Sequence, residues 1–375
     1  MGERRLAVSP LLWFVNRDMD MNKKVYNVAV LKGDGIGPEV VEEALVVLQA
    51  IGTPRFNFTE HSCGAGCYLA CGEPLPVATV EACRTADAVL LGAMGLPDIR
   101  WEDGTEMRPQ IDLRIILDLY AGVRPIYLYN EAHSPLKGLD VGAIDFVILR
   151  ENVEGLFASM NGGIELRGEV AVDSMVITRS GTERIVRYAF ELAVQRARSP
   201  MRVTCVDKAN VFKSMAFFRS VYDRVADDFP DVGRDYAYVD ALSMYLLQRP
   251  KDYDVLVAEN MYGDIISDLA AGLVGGLGMA PSGDIGPDAA VFQPSHGTAP
   301  DIAGKGLANP VAMILSAALM LKWLGDREGD KEAVQGAARI EEAVRCVVSQ
   351  VGAGTPDIGG IMTTSELGKA IVEAL

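Results

Sequence analysis

The sequence has no long apolar run, and it has few basic residues for its number of acidic ones. A membrane-spanning helix needs about 20 apolar residues, whereas the longest apolar helix candidate, residues 310–324, is shorter and contains Ser316 and Lys322. Lysine and arginine total 35 against 51 aspartates and glutamates, which gives a formal charge of −16. This charge repels phosphate backbones and anionic membrane surfaces. The sequence therefore predicts a soluble protein that binds neither membranes nor nucleic acid.

The six cysteines are too few, in a chain of 375 residues, to indicate a disulfide framework. His61, Cys63, Cys67 and Cys71 have helical spacing and suit a soft metal ion. Small residues on the packed face of a helix explain the same pattern, since free cysteine behaves as a small hydrophobic residue. We assign these four residues no role.

Residues 1–23 are expected to form a loose N-terminal extension. Their apolar run, residues 11–15, is too short for the core of a secretion signal, and no convincing cleavage site follows it. Without a targeting signal, the expected compartment is the cytoplasm.

The rest of the sequence alternates between short buried strands and amphipathic helices, which is typical of an α/β fold. Strands are predicted near residues 25–31, 88–95, 145–151 and 255–258, and the length suits two domains. The glycines at 33, 35 and 37 lack the spacing of a dinucleotide fingerprint, and this loop alone is weak evidence for a cofactor.

Three aspartates form a candidate metal site. Asp264 and Asp268 are four residues apart, so on a helix both carboxylates project from one face, and Asp240 precedes them closely in sequence. Oxygen ligands of this kind suit a hard divalent cation. The alternative is that Asp264, which follows Gly263, merely caps the start of a helix.

Three arginines and a lysine are candidates for substrate chemistry. Arg114 and Arg124 are predicted to flank a short helix at residues 115–120, and Arg150 ends a predicted strand. Guanidinium groups suit carboxylates, although each arginine alone could equally be a surface ion-pair partner. Lys208 follows a buried strand, where a partly desolvated amine can act as a base, and by itself it reads equally well as a surface lysine.

In order, these segments resemble the β-decarboxylating dehydrogenases, the family of isocitrate, 3-isopropylmalate, homoisocitrate, tartrate and D-malate dehydrogenases. The resemblance covers residues 24–375 and is carried by Gly-Asp-Gly-Ile-Gly-Pro-Glu-Val (33–40), Val-Asp-Lys-Ala-Asn-Val (206–211), Gly-Asp-Ile-Ile-Ser-Asp-Leu (263–269) and His-Gly-Thr-Ala-Pro-Asp-Ile-Ala-Gly-Lys-Gly-Leu-Ala-Asn-Pro (296–310).

The resemblance implies a two-domain α/β fold with an open sheet of non-Rossmann topology. Residues 24–119 and 274–375 are expected to form a large NAD-binding domain. Residues 120–273 are expected to form a smaller substrate and dimerisation domain, with an arm near residues 158–177 that crosses to a second subunit.

The resemblance also implies the reaction, an NAD-dependent oxidative decarboxylation of a 3-substituted (R)-malate. Asp264 and Asp268, with Asp240 of the partner subunit, are expected to hold Mg²⁺ or Mn²⁺, which would stabilise the enolate formed on loss of CO₂. Arg114, Arg124 and Arg150 are expected to bind the substrate's carboxylates. Lys208 of the partner subunit is expected to assist removal of the hydroxyl proton, and shared sites of this kind require a homodimer.

The cofactor is predicted to be NAD rather than NADP. Relatives that use NADP commonly have lysine and tyrosine at the positions of Asp301 and Ile302, where they hold the additional phosphate. A carboxylate at position 301 would instead accept hydrogen bonds from the ribose hydroxyls and repel that phosphate. The residues expected to line the adenine end are His296, Gly297, Thr298, Ala299 and Asn309.

One position departs from the family pattern. After its third arginine the family has Arg-Glu-x-Thr-x-Gly-x-Tyr, where the tyrosine protonates the enol carbon, but this sequence has Phe157 in place of the tyrosine. Phenylalanine has no proton to give. Two interpretations remain: an enzyme with another proton source or a truncated reaction, and a non-catalytic ligand-binding or regulatory subunit.

In relatives, residues just before the first arginine determine which substrate is accepted. The corresponding residues here are Arg108 and Gln110. Because both are polar, the sequence predicts a polar or carboxylated substituent at C3 of the malate rather than an isopropyl group.

Overall fold

The computed structural model describes residues 24–102, 104–160 and 162–375 of the chain. The predicted extension, residues 1–23, lies outside the described residues. The strands are β1 (Val25–Gly33), β2 (Arg55–Glu60), β3 (Ala88–Ala93), β4 (Ala121–Tyr127), β5 (Asp145–Glu151), β6 (Ile164–Leu166), β7 (Val170–Val172), β8 (Arg202–Asp207), β9 (Gly233–Tyr238), β10 (Val255–Ala258), β11 (Pro281–Ile285) and β12 (Ala290–Pro294).

Ten of these strands form one sheet in the order β2-β1-β3-β12-β11-β4-β5-β10-β8-β9. Most neighbours are parallel; β11 is antiparallel to β12 and to β4, and β4 is antiparallel to β5. Parallel strands require crossover connections, and helices supply them. The α/β class and the open non-Rossmann sheet predicted from the sequence are both confirmed.

The two predicted domains correspond to the two halves of this sheet. The strands at 24–119 and 274–375 occupy one half, and those at 120–273 occupy the other. The halves meet where β11 pairs with β4, at Gly283 and Val123. The division into two domains stays a prediction, since one continuous sheet joins the halves.

Helices cover both faces of the sheet. The helices are α1 (Gly37–Ala50), α2 (Ala65–Cys71), α3 (Val77–Thr85), α4 (Pro109–Ile116), α5 (Arg179–Arg196), α6 (Lys213–Ala226), α7 (Val239–Gln248), α8 (Asn260–Gly272), α9 (Val311–Glu328), α10 (Lys331–Val348) and α11 (Thr364–Glu373). None of the helices in the described part of the chain is both long enough and apolar enough to cross a bilayer.

The main core lies around α9. Residues on every side of this helix are buried, from Val311 to Leu324, because it packs against α1, α10, β11 and β12. A helix that is apolar all round must be enclosed in this way.

Two local predictions were wrong. The short helix expected at residues 115–120 is instead α4, which begins at Pro109 and contains Arg114 in its last turn. Proline is favoured in the first turn of a helix because its missing N–H needs no partner there. Asp264 does not cap a helix start either, since α8 begins one turn earlier and its N-cap is Glu259.

The segment predicted as an arm contains the hairpin β6–β7. Its strands are antiparallel, and all six of their residues are exposed. The exposed apolar side chains include Ile164, Leu166, Val170 and Val172. Contact with a second subunit stays a prediction.

Candidate active site

A cavity of about 310 Å³ opens beside the junction of the two half-sheets. Its walls come from β3, β4, β5, β11 and β12, together with α4 and α8. The residues that line it include Met94, Gln110, Arg114, Arg124, Arg150, Phe157, Asp264, Gln293 and His296. The three arginines identified in the sequence therefore meet in one place.

Arg114 is held by a buried carboxylate that the sequence did not reveal as a site residue. Its Nε donates to Asp284 Oδ2 at 2.9 Å. Asn152 Nδ2 and Gln293 Nε2 also donate to Asp284, at 2.6 and 2.7 Å. Asp284 is 1% exposed. Through these three hydrogen bonds, its buried carboxylate on β11 holds together α4, β12 and the residue that follows β5.

Arg124 and Arg150 are held by α8. Arg124 donates to Ser267 Oγ at 2.6 Å, and Arg150 donates through Nε and Nη2 to Asn260 Oδ1 at 3.1 and 2.7 Å. Arg150 also ion-pairs with Asp264. The helix approaches this closely because Gly263 has no side chain, and a Cβ there would lie 2.8 Å from Arg150 Cβ.

The three arginine residues are each no more than 7% exposed. Burial lowers the pKa of Arg150, and the neighbouring charges of Arg124 and Arg114 lower it further. Burial likewise lowers the pKa of Arg124. Clustered buried cations are costly without anions, so the cavity is suited to a ligand with more than one carboxylate.

Asp264 and Asp268 lie one turn apart on α8 and share the guanidinium of Arg124, at 3.4 and 3.5 Å. Their carboxylates are about half exposed, and burial raises the pKa of Asp268. Two oxygen donors on one exposed helix face fit a hard divalent cation that has further ligands from elsewhere. No third ligand joins them within the described residues of one chain.

Asp240 and Lys208 lie apart from this cavity and pair with each other, with Lys208 Nζ 2.6 Å from Asp240 Oδ1. The hydrogen bond from Lys208 lowers the pKa of Asp240. A single chain therefore supplies the arginines and two aspartates at one place and the lysine and third aspartate at another.

The loop predicted to hold the adenine end packs on the glycine turn after β1. Gly35 has φ +58°, and its Cα faces the carbonyl of Thr298 so closely that no Cβ would fit. His296 Nε2 is buried and has no hydrogen-bond partner in the described structure, and burial lowers the pKa of this imidazole, which favours its neutral form. An unpartnered ring nitrogen beside an exposed loop fits a heteroaromatic ligand that supplies the missing hydrogen bond.

The other predicted cofactor residues differ in their surroundings. Gly297 and Asp301 are exposed, and Ala299 has φ +37° at the turn. Asn309 is buried with both ends of its amide engaged: Nδ2 donates to Asp357 at 3.0 Å, and Oδ1 accepts from the backbone N–H of Val311. Asn309 thus shapes the loop.

Phe157 and Gln110 lie in the cavity wall, whereas Arg108 is not among the lining residues. The Phe157 ring centroid is 5.9 Å from Arg150 Cζ, so this ring lies beside one of the three clustered arginines. Gln110 Oε1 is buried without a partner, and it is therefore an acceptor available to a ligand.

The residues missed by the sequence analysis are the anchors of the arginines: Asn152, Asn260, Ser267, Asp284 and Gln293. Asp284 lies between Gly283 and Ile285, and this local sequence contains no signal that its carboxylate is buried.

The chain matches the family model described as isocitrate/isopropylmalate dehydrogenase over residues 27–371. It is 41% identical over 352 residues to the 3-isopropylmalate/3-methylmalate dehydrogenase of Methanocaldococcus jannaschii, with 93% of this chain and 98% of the relative covered. It is 42% identical over 349 residues to the 3-isopropylmalate dehydrogenase of Archaeoglobus fulgidus, with 93% and 99% covered.

Solved structures show the same relationship. The isocitrate dehydrogenase of Methylococcus capsulatus superposes with a TM-score of 0.83 at 38% identity, and 93% of this chain and 99% of that one are covered. A β-decarboxylating dehydrogenase of Thermococcus kodakarensis gives a TM-score of 0.77 at 38% identity, with 93% and 96% covered. Because its fold and nearly its whole length agree with these proteins, the chain belongs to the isocitrate/isopropylmalate dehydrogenase family.

Proposed function

We propose that this protein is an NAD- and Mg²⁺- or Mn²⁺-dependent dehydrogenase that oxidatively decarboxylates a 3-substituted (R)-malate. The observation that carries the proposal is the convergence of three buried, anchored arginines on one cavity beside a carboxylate pair. Such a cavity selects a small polycarboxylate. Relatives named as 3-isopropylmalate dehydrogenases support the reaction class.

Each group of residues has a role in this proposal. The arginines bind and orient the substrate carboxylates. Asp264 and Asp268 would hold the cation, which supplies charge stabilisation to the substrate's oxygens, and the 296–309 loop would hold NAD, which accepts the hydride. Lys208 assists loss of the hydroxyl proton, and its pairing with Asp240 keeps the amine close to a carboxylate that would also ligate the cation.

The active site is proposed to form between two copies of the chain. Lys208 and Asp240 lie outside the arginine cavity of their own chain, so the Lys208 and Asp240 that complete it come from the partner subunit. The exposed apolar residues Met244 and Leu247 on α7 and Ile265 on α8 support a homodimer contact on these helices.

The substituent at C3 of the substrate is proposed to be polar. The unpartnered Oε1 of Gln110 favours a group that donates a hydrogen bond, such as a hydroxyl. A carboxylated substituent receives less support, because Arg108 is not part of the cavity lining.

A non-catalytic ligand-binding subunit remains the second candidate, and Phe157 is the observation that favours it. Purified protein with NAD and Mn²⁺ should be tested against malate, tartrate, isocitrate, homoisocitrate and isopropylmalate, with NADH and CO₂ measured separately. NADH formation with at least one acid is expected. Binding of an acid without NADH from any of them would support the non-catalytic candidate, and NADH without CO₂ would show that Phe157 truncates the reaction.

A further inference from the structure

We propose that Cys67 and Cys71 are a thiol–disulfide site, which a small external disulfide oxidises and a small thiol reduces. Both cysteines lie on α2, four residues apart, so their side chains project from the same face of the helix. The two Sγ atoms are 3.6 Å apart. Since a disulfide bond is about 2 Å long, the sulfurs need to approach each other by only about 1.5 Å.

The arrangement suits a dithiol better than the soft-metal site considered from the sequence. Cys63 is buried, and His61 contacts Thr59, whose Oγ1 lies 3.2 Å from the His61 Nε2. In the part of the chain that the structure describes, no group of three or more histidine, cysteine, aspartate or glutamate residues is placed to hold a metal ion. Two neighbouring thiols remain, and their characteristic reaction is disulfide exchange.

This pair combines solvent access with a neighbouring thiol. Cys67 is half-buried and Cys71 is exposed. Three of the other four cysteines are buried: Cys63, Cys83 and Cys205. Burial raises the pKa of these three thiols, which keeps them in the unreactive protonated form. Cys346 is exposed on α10, but no second sulfur contacts its thiol in the described structure.

The two thiols act in sequence. Burial, together with the hydrogen bond to Cys71, raises the pKa of Cys67 to about 11, so the more exposed Cys71 is the thiolate that attacks the external disulfide. One sulfur of the reagent stays on Cys71, and the other leaves as a small thiol after taking up a proton. Cys67 then attacks Cys71 Sγ and expels the second small thiol. The two cysteines thereby lose two protons and two electrons, and one disulfide is reduced to two thiols.

The end of α2 can make the small movement that this bond requires. Cys71 is the last residue of α2, and only Ala65, at the other end of the helix, is buried. Gly72 follows in a left-handed conformation, and no atom lies within 4 Å of the position that its Cβ would take. The last turn of the helix can therefore shift without displacing a neighbouring group.

The first turn of α2 is fixed instead by Asp34. Its carboxylate accepts hydrogen bonds from the backbone N–H groups of Ala65 and Gly66, both at 2.8 Å, and from that of Gly95 at 2.9 Å. Gly95 directly follows Met94, which lines the arginine cavity. The thiol pair therefore lies on a helix that shares an anchoring carboxylate with the wall of this cavity.

Oxidation of the native full-length protein by hydroxyethyl disulfide tests the proposal. This uncharged reagent leaves a hydroxyethylthio group on a lone thiol, whereas a pair that goes on to react loses two hydrogen atoms and keeps no adduct. Mass spectrometry of the peptide that contains both positions distinguishes these products. We expect a disulfide between Cys67 and Cys71, and dithiothreitol should restore both thiols.

Cys67→Ser is the matched comparison, because Cys71 then has no neighbouring thiol and should keep the adduct. The adduct on Cys71 in the wild type should be at most about a tenth of that in Cys67→Ser, since a neighbouring thiol acts at a roughly millimolar effective concentration. Cys346→Ser removes the lone exposed thiol and should leave the disulfide between Cys67 and Cys71 unchanged.

Three results would overturn the proposal: equal adducts on Cys71 in the wild type and in Cys67→Ser, an unmodified Cys71 while Cys346 reacts, or pairing of Cys67 or Cys71 with a different cysteine. Circular dichroism checks that Cys67→Ser folds. Cys67→Ala, with the better helix former, has the same expected result and replaces it if serine disturbs α2. Turnover is not measured, so the outcome does not depend on the proposed reaction.

Discussion

Phe157 occupies the wall of the arginine cavity where the family pattern has a proton-donating tyrosine. A positioned general acid contributes about 10²-fold or more to a rate. We therefore expect Phe157→Tyr to raise steady-state release of CO₂ at least about tenfold, measured alongside NADH. Phe157→Leu removes the ring without adding a hydroxyl and should give no gain. A Phe157→Tyr enzyme no faster than the wild type would mean that another group already delivers the proton.

Gln110 offers the test of substrate choice. Its Oε1 is buried in the cavity wall without a partner, and an acceptor left unpaired by an apolar ligand is costly. Gln110→Leu is expected to lower kcat/KM for a hydroxylated malate about tenfold, or about 1.4 kcal/mol, and to raise it for isopropylmalate. Arg108→Ala is the matched control and should leave the ratio of the two values near that of the wild type. An unchanged preference in Gln110→Leu would remove the case for a polar substituent.

Glu151, the residue after Arg150, gives the protein a specific pH dependence of stability. It is 2% exposed, and burial raises its pKa to about 7. Between its usual pKa and pH 7 the folded state binds more protons than the unfolded state, so the free energy of unfolding falls as pH rises through this window. The loss amounts to at most about 3 kcal/mol.

Glu151→Gln should remove this loss. The backbone N–H groups of Val153 and Glu154 both donate to Oε2 of Glu151, so one amide oxygen at that place still accepts both without ionising. Urea unfolding at pH 5.5 and pH 8 measures the difference in the free energy of unfolding between the two pH values. The exposed Glu165→Gln should keep the pH dependence of the wild type. An equal loss in Glu151→Gln and the wild type would assign the effect to other groups.

At the scale of the elements, strands were easier to predict than the residues that anchor the site. The bounds of β5 and β10 were predicted to the residue, because each is a short apolar run with polar residues on both sides. The start of α8 was missed, since Glu259 caps it one turn before Asp264, the residue considered as a helix start from the sequence. Asp284 was missed because its burial depends on how β11 packs among β4, β5 and α4, which no local pattern contains.

Asp284 connects these elements, and its removal should affect stability and binding together. It accepts hydrogen bonds from three donors, on α4, next to β5 and on β12. Asparagine removes the charge and turns one acceptor into a donor that faces other donors. Asp284→Asn is therefore expected to destabilise the fold by about 3 kcal/mol, as for one partner of a buried ion pair.

Because Arg114 loses its anchor, the same variant should also raise KM for the substrate about tenfold with a smaller change in kcat. Asp288→Asn lies in the exposed turn of the same hairpin and serves as the control. Chemical unfolding and steady-state kinetics give the two readouts. Normal stability and KM in Asp284→Asn would show that Arg114 is positioned by its other contacts.

At the scale of the whole molecule, one chain holds two incomplete parts of the proposed site. The arginines, Asp264 and Asp268 lie in one place, and Lys208 with Asp240 lies in another. Sequence could indicate all of these residues, but their distribution between two copies depends on how the copies assemble. The exposed apolar residues of α7, α8 and the β6–β7 hairpin are the surfaces on which that assembly is proposed.

Mixing two inactive variants tests this arrangement directly. Lys208→Ala and Asp264→Ala should each be inactive as homodimers, because every site lacks one of the two residues. In a dimer with one chain of each kind, one site receives Asp264 from the first chain and Lys208 from the second, and the other site receives neither. Random reassociation makes about half of all dimers mixed, and each mixed dimer has one intact site of two. About a quarter of wild-type activity should therefore return.

Asp264→Ala mixed with Arg150→Ala is the control pair. Both residues of a site come from the same chain in this proposal, so each site of a mixed dimer still lacks one of them and no activity should return. Recovery by the first pair and none by the second requires a site shared between subunits, whereas failure of the first pair to recover would place Lys208 and Asp264 in the same chain's site or in none.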